Sequence, residues 1–338
     1  MVKKFFWSSF SILLVIILSI ALSYIHFLRA PLLRHNSLPL TIKIPPGSAA
    51  IRIGYLFTQT HTVRYPTYWL WYMQVSAKRT CLQAGEYLIT PDMTPHRVLN
   101  ILASGKIVQH KIIFIEGWTF LELKQALKNE ADLTTTMASL SDAQIMQKIG
   151  ASETQPEGLF FPDTYLYVWG ENDLTVLKKA YVRMQAVLQA EWQHRAEHLW
   201  YKKPYQALIV ASMVEKETAL PSERALIAGI ILNRLHKQMP LQIDPTVMYG
   251  VHQSFTTPLT LADLHAKTPY NTYRYYGLPP TPICMPSLAS IEAALHPAKT
   301  KFLYYVAKGD GSHAFAETYQ QQKANVKRYI LKTSATTI

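Results

Sequence analysis

The sequence predicts a mixed α+β chain: an N-terminal transmembrane helix, a small α+β module, and a larger, mainly helical domain that carries a β-hairpin. Three observations carry that prediction. Lys3 and Lys4 precede an almost unbroken apolar run from Phe5 to Leu28, and at about 1.5 Å per residue that run is long enough to cross a hydrocarbon core with some tilt. Between residues 36 and 115 the patterns alternate in the order β-α-α-β-α-β. Beyond residue 116 helical periodicity dominates. The parts fall at 1–35, 36–115 and 116–338.

The apolar run admits two readings. Ala21-Leu22-Ser23 loosely fits the small-x-small site of a cleaved signal peptide, but the run continues past it, which favours an uncleaved anchor. Trp7 and Tyr24 stand where interfacial aromatics belong. Lys3 and Lys4 place the N-terminus in the cytoplasm, against the opposing pull of Arg29 and Arg34. With no second long apolar run, everything after residue 35 lies on one side, outside.

The formal net charge is +12 over 338 residues. A basic chain suits acidic partners such as anionic lipid or an anionic cell-wall polymer. The Lys and Arg residues are scattered, apart from short clusters such as Lys323, Lys327 and Arg328, and no nucleic-acid motif accompanies them; nucleic acid is not an expected partner. Cys81 and Cys284 are the two cysteines. They provide no metal spacing and no disulfide framework, and leave one disulfide open.

Leu40 to Ile44 alternates as a strand, Pro45-Pro46-Gly47-Ser48 turns the chain, and helical patterns follow at 49–59 and 65–75. Ala84 to Ile89 returns as a strand. Thr94 caps a helix with Pro95 at its first position and Gly105 at its end. Ile107 to Ile115 is a further strand. Glu116-Gly117-Trp118-Thr119 opens a helix at 120–127, and 130–150 is polar and helical. The aromatic, turn-rich stretch from Pro156 to Tyr167 reads either as buried packing or as a sugar-facing wall. Asp173 to Trp200 is an amphipathic helix.

The stretch from Tyr205 to Leu220 is an apolar helix ending in two glutamates, Glu215 and Glu217. At about 100° per residue their carboxylates point about 200° apart, so they cannot share a site. Glu217 lies over Val210, Met213 and Val214, the bulkier apolar stripe; Glu215 lies over Leu208, Ala211 and Ser212. A carboxyl against apolar surface keeps its proton longer, as a general acid requires. A helix running out into solvent would carry the same charges, so this stretch alone leaves both readings open. A helix over 223–237 follows, with Asn233 and Arg234 as its polar exceptions. Met239 to Gly250, Tyr270 to Tyr273 and Gly277 to Pro280 read as polar, aromatic loops of the functional kind. Ser290 to His296 is helical, and Lys308 to Ser312 turns a hairpin.

Taken in order, these strings resemble the YceG-like family, the endolytic murein (peptidoglycan) transglycosylases. The matching elements are Ala-Ser-Met-Val-Glu-Lys-Glu-Thr at 211–218, Asn233-Arg234-Leu235, Leu241 to Val247 with Tyr249-Gly250, Tyr270 to Tyr273, Gly277 to Pro280, and His296-Pro297-Ala298 with the hairpin. Glu116-Gly117, Pro162-Asp163-Thr164 and the N-terminal anchor match earlier in the chain. One departure is Ile283-Cys284-Met285, where the family has small residues. The resemblance implies a LysM-like module before a lysozyme-related helical core, with Glu217 as catalytic acid and base. It also implies non-hydrolytic cleavage of the MurNAc–GlcNAc bond of peptidoglycan glycan strands, leaving 1,6-anhydro ends, with no metal or organic cofactor. Glu223, Gln242, Asp244, Tyr270, Asn271 and Tyr273 are the candidates for binding substrate or orienting Glu217. The expected setting is the inner membrane with the catalytic domain in the periplasm, and cell-wall synthases are candidate partners. A hydrolytic muramidase pairing Glu217 with Asp244, and a non-catalytic wall-binding scaffold, are the rival readings.

Overall fold

The computed structural model describes residues 2–331, with side chains from Phe10 to Ile330. The side chains of Lys3, Lys4 and Trp7, which bear on orientation and on the interface reading, lie outside the described residues. The chain forms two compact units, Met1–His110 with Tyr167–Gly170, and Lys111–Leu166 with Glu171–Ile338.

In the first unit, α1 (Val2–Arg29), β1 (Leu40–Ile44), α2 (Ala50–Gln59), α3 (Pro66–Val75), β2 (Gly85–Ile89) and α4 (Pro95–Ser104) follow the predicted order. β1 and β2 pair antiparallel with Leu40 opposite Ile89 and Ile44 opposite Gly85. Their inward positions, Ile42, Ile44, Tyr87 and Ile89, join Phe57, Trp69, Met73 and Leu102 in one core. The period-2 alternation of the strands meets the 3.6-residue stripes of three helices there. Thr94 caps α4 through the Arg97 N–H, Pro95 occupies the first turn where its missing N–H costs nothing, and Gly105 ends the helix at φ 67°. Among the described residues, one helix is long and apolar enough to span a membrane, Phe10–Arg29, with a mean hydropathy of 2.4.

β3 (Gln109–Ile113) and β4 (Thr164–Val168) each contain the point where the chain passes from one unit to the other, and the second unit holds α5 (Phe120–Asn129), α6 (Asp142–Ile149) and α7 (Asp173–Gln193). It continues with α8 (Pro204–Glu217), α9 (Pro221–His236), α10 (Asp244–His252), α11 (Leu261–Leu264), α12 (Leu288–Leu295), the hairpin β5 (Tyr304–Ala307) and β6 (His313–Ala316), and α13 (Tyr319–Val326). α8 is its central element: every residue from Ala207 to Val214 is buried, against α7, α9, α10 and α12. A helix apolar on all sides requires this enclosure.

Three sequence expectations change. The helix expected over Asp173 to Trp200 ends at Gln193. Met239 to Gly250 is not a loop throughout, since Asp244 begins α10. Pro245 reads as a breaker in sequence, yet in the first turn it removes only an N–H that has no helical partner, and Asp244 beside it favours the positive helix end. The Pro156–Tyr167 stretch packs inward at Leu159, Phe160 and Phe161, and its end forms β4 rather than more turn. Ile283, Cys284 and Met285 are fully buried. Ile283 donates its N–H to Ser212 Oγ at 3.0 Å, while the Met285 carbonyl accepts from the Gly117 N–H and the Met285 N–H donates to the Trp118 carbonyl, each at 2.8 Å. The large side chains that depart from the family pattern fill core volume beside α8.

Gly229 in α9 faces the chain at Ala298 so closely that a Cβ would sit 2.4 Å from the Ala298 carbonyl oxygen. In an open helix Gly→Ala gains about 1 kcal/mol. Here the sign reverses: Gly229→Ala is expected to destabilise the second unit by about 1–3 kcal/mol, read as a lower thermal unfolding midpoint of the full chain in detergent.

Candidate active site

The end of α8 sends three consecutive side chains to three different places. Glu215 accepts from the Ser287 N–H at 2.9 Å and from its hydroxyl, at the start of α12. Lys216 donates to the Gly117 carbonyl at 3.3 Å and stands 3.8 Å from the Phe255 ring centroid. Glu217, the last residue of the helix, accepts a hydrogen bond from the Tyr305 hydroxyl on β5. The angular separation read from the sequence is thus realised as a division of labour. Glu215 is a brace for α12, and Glu217 faces a polar cluster.

Burial pushes the Glu217 carboxyl up to about 7; the Tyr305 hydrogen bond opposes that rise and the negative charge of Asp244 adds to it. A carboxylate at the C-terminal end of a helix also faces the negative end of the dipole, which works in the same direction. Burial raises the Tyr305 phenol well above its ordinary value, and the charge of Glu217 adds to it. At neutral pH Tyr305 is therefore a fixed donor, and Glu217 is poised between its two protonation states.

Around this pair the predicted residues take distinct positions. Asp244, exposed at the start of α10, accepts from the Tyr273 hydroxyl. Burial is the main cause that raises the Tyr273 phenol, followed by its hydrogen bond to Asp244, with the charges of Asp244 and Glu217 adding. Glu223 is buried and acts at one remove: its carboxylate accepts from the His313 N–H at 2.9 Å, from His313 Nδ1 at 2.7 Å and from Thr218 Oγ1 at 3.3 Å. Burial alone would raise Glu223, but these hydrogen bonds win and its pKa is lowered. The His313 ring meets the Tyr305 ring edge-on at 5.4 Å, so Glu223 holds the imidazole that packs against the tyrosine bonded to Glu217. Gln242, held at φ 54°, accepts from Arg234 Nη1 at 3.0 Å. Asn271 is framework: its amide donates to the Leu264 and Ala266 carbonyls at 2.9 Å each, and its oxygen accepts the Tyr273 N–H at 3.0 Å.

Tyr270 belongs elsewhere. Its ring meets Tyr249 edge-on at 5.0 Å, and both line a cavity of about 170 Å³ with Glu157, Lys124, Asp142 and Gln253. Glu157 accepts from the Phe120 N–H at 3.1 Å and from the Tyr249 hydroxyl at 3.0 Å. Burial raises it to about 8, against those hydrogen bonds.

Arg234, Tyr305, His313, Tyr249 and Glu157 were not singled out as site residues from sequence. The available signal was faint: an arginine inside an otherwise apolar helix, and a glutamate among buried aromatics. Arg234 is buried, donating Nε to the Leu303 carbonyl at 2.6 Å and Nη1 to the Pro240 and Leu241 carbonyls at 2.9 Å each.

A family model, the YceG-like family, matches residues 42–328. An endolytic murein transglycosylase of Bacillus subtilis (strain 168) is 29% identical over 323 residues, covering 90% of this chain and 88% of that protein. An endolytic murein transglycosylase of Streptococcus pneumoniae is 26% identical over 325 residues, 86% of this chain but 58% of its own length. In three dimensions, a YceG-like protein from Listeria monocytogenes shares the fold with a TM-score of 0.54, 24% identity, and coverage of 85% of this chain and 98% of that one.

Two outcomes are expected from the site's electrostatics. In a carboxyl-selective NMR titration, Glu217 should titrate near 7. Tyr305→Phe should move that midpoint up, because the hydrogen bond it removes favours the charged form, and Asp244→Asn should move it down. Shifts in the same direction would contradict the assignment. For Glu157, the folded value near 8 lies above the ordinary 4.5, so its contribution to stability is present below about 4.5 and lost as pH rises through 8. Glu157→Gln removes that loss. The variant's melting-temperature advantage over wild type should therefore grow from pH 5 to pH 8 and level off above.

Proposed function

Because the chain belongs to the YceG-like family, whose model spans most of it, we propose that it is a membrane-anchored lytic transglycosylase. It cuts the β-1,4 bond between MurNAc and GlcNAc in peptidoglycan, inside nascent strands during wall assembly. In this reading residues 1–35 tether it to the inner membrane, 36–115 form a LysM-like module, and 116–338 form a lysozyme-related catalytic domain on the periplasmic side. The single observation that carries the chemistry is a carboxyl at the end of a buried helix, desolvated to a pKa of about 7 and hydrogen-bonded by one tyrosine.

The protonated Glu217 donates to the glycosidic oxygen as the bond to the muramic acid anomeric carbon breaks. GlcNAc leaves as the alcohol. The anomeric carbon, now positively charged, is attacked by its own C6 hydroxyl, and the Glu217 carboxylate removes that hydroxyl's proton. One group serves as acid and then as base, which is most efficient when its pKa lies close to the working pH. Asp244 helps twice: its charge keeps Glu217 protonated, and it supplies negative potential as the oxocarbenium-like centre forms. Tyr305 fixes the Glu217 rotamer, and Tyr273 fixes Asp244.

A second reading has one observation in its favour, the electrostatic coupling of Glu217 to Asp244. A hydrolase would use Asp244 to activate water, as paired carboxylates do in ordinary glycosidases.

Digestion of purified peptidoglycan by the full chain, followed by product masses, tests both. Wild type should leave ends one water lighter than a reducing sugar, and Glu217→Gln should lower the rate by about 10²- to 10⁴-fold without changing the fold. Under the lytic reading Asp244→Asn slows cutting but leaves anhydro ends. Reducing ends that vanish in Asp244→Asn would replace it with the hydrolytic one, and undiminished cutting by Glu217→Gln would dismiss both.

A further inference from the structure

The core uses α3 through Trp69 and Met73, and Tyr65, Tyr68 and Tyr72 pack against the same cluster at its sides. Trp69 and Met73 are fully buried, and Leu70 with Met73 closes on Gly54 of α2. The outward face carries Trp71 and Val75, one turn apart, beside the polar Thr67 and Gln74. Trp71 is 50% exposed and Val75 53%. Apolar surface left open on one helix of a small module marks a contact with something else.

The place of that face along the chain identifies what it meets. On α1 every side chain from Phe10 to Ser23 is exposed, and Tyr24 is the first to touch the rest of the unit. Its ring meets Trp71 at 4.7 Å and Tyr68 at 5.9 Å, and Phe27, one turn on, meets Tyr72 at 6.1 Å. A hydrocarbon core takes about 20 helical residues. Counted back from Tyr24, that span begins at Phe5, where the apolar run begins. Tyr24 is then at the boundary between acyl chains and headgroups, and Trp71, in contact with it, is at the same depth. Tyrosine and tryptophan favour that layer, with the ring in the apolar phase and the polar tip in the wet one.

Charge agrees. No Asp or Glu occurs before Glu86, whereas Arg29, Arg34, Lys43, Arg52, Arg64, Lys78 and Arg79 lie between the span and that point. Arg64, Lys78 and Arg79 flank α3 at its two ends and are exposed. Basic residues close to a bilayer surface are drawn to anionic headgroups.

We propose that the outward face of α3, with Trp71 and Val75 as its apolar residues, is seated in the headgroup layer of an anionic lipid bilayer, the one that α1 crosses, so that the first unit lies on the membrane rather than on a free stalk. This rests on the reading of α1 as a membrane anchor. The seat sets the depth and tilt of the anchor and restricts how the first unit can turn about it.

The test uses the full chain with Cys81→Ser, in nanodiscs of phosphatidylethanolamine and phosphatidylglycerol, with a nitroxide attached at Trp71→Cys, Val75→Cys or Val15→Cys. Collision with oxygen is compared with collision with a water-soluble nickel chelate. The label at 15 should show the high oxygen-to-nickel ratio of acyl chains. Labels at 71 and 75 should give ratios between that and a free nitroxide in buffer. If 15 reads as membrane and 71 and 75 match the free nitroxide, the seat is refuted and the anchor stands. If 15 itself reads as water, the anchor reading fails and the proposal with it. Protection of 71 and 75 from both reagents, with dipolar broadening between labels, would assign the face to a second copy of the chain and overturn the lipid seat.

Discussion

The buried guanidinium of Arg234 is the constraint on which the site's geometry depends. A charge removed from water costs several kcal/mol unless its donors are satisfied, and Arg234 satisfies them with carbonyls from two separate segments. One is Leu303, just before β5. The other is Pro240 and Leu241, on the way into α10. A single side chain on α9 therefore fixes the register of the strand that supplies Tyr305 and of the helix that supplies Asp244. The Tyr304 ring at 5.2 Å covers the cation. Loss of Arg234 would leave several carbonyls without donors and let both segments move relative to Glu217.

α10 has a desolvated acid toward each end. Asp244 at its start is electrostatically coupled to Glu217, and Tyr249, about 7.5 Å further along the axis, donates to Glu157. The two acids share a cause and differ in surroundings. Burial raises both. Glu217 ends a helix and is tuned by single side chains, so its proton can come and go near neutrality. Glu157 accepts a backbone N–H at the start of α5, a setting that favours charge, yet its enclosure outweighs this. Glu157 reads as a clamp that holds α5 and α10 together, and the fold carries the pH sensitivity of that clamp as a cost.

Much of the fold was legible because its elements announce themselves locally. The alternation at Leu40–Ile44, the Thr94-Pro95 start and Gly105 stop of α4, and the turn at Lys308–Ser312 are short-range signals, and each reappears in the structure. α10 was missed because Pro245 has opposite meanings in the first turn and in the interior of a helix, and the residues alone do not say which applies. β4 was missed because its five residues follow a buried aromatic run whose periodicity is blurred by packing on both faces.

For the site, the sequence by itself determined which glutamate of the pair faces the bulkier apolar stripe. That follows from a rotation of about 100° per residue and needs no tertiary contact. It also supplied the apolar span and the family resemblance, both carried by contiguous strings. Only the tertiary structure decided the partners. Tyr305 is 88 residues from Glu217 in the chain, and His313 meets Glu223 at a separation of 90. Asn271 turned out to hold a loop and Tyr270 to line the Glu157 cavity, though both sit in the same short motif as Tyr273. Adjacent residues in a turn point in different directions, and which direction leads to the acid is set by segments the turn itself does not contain.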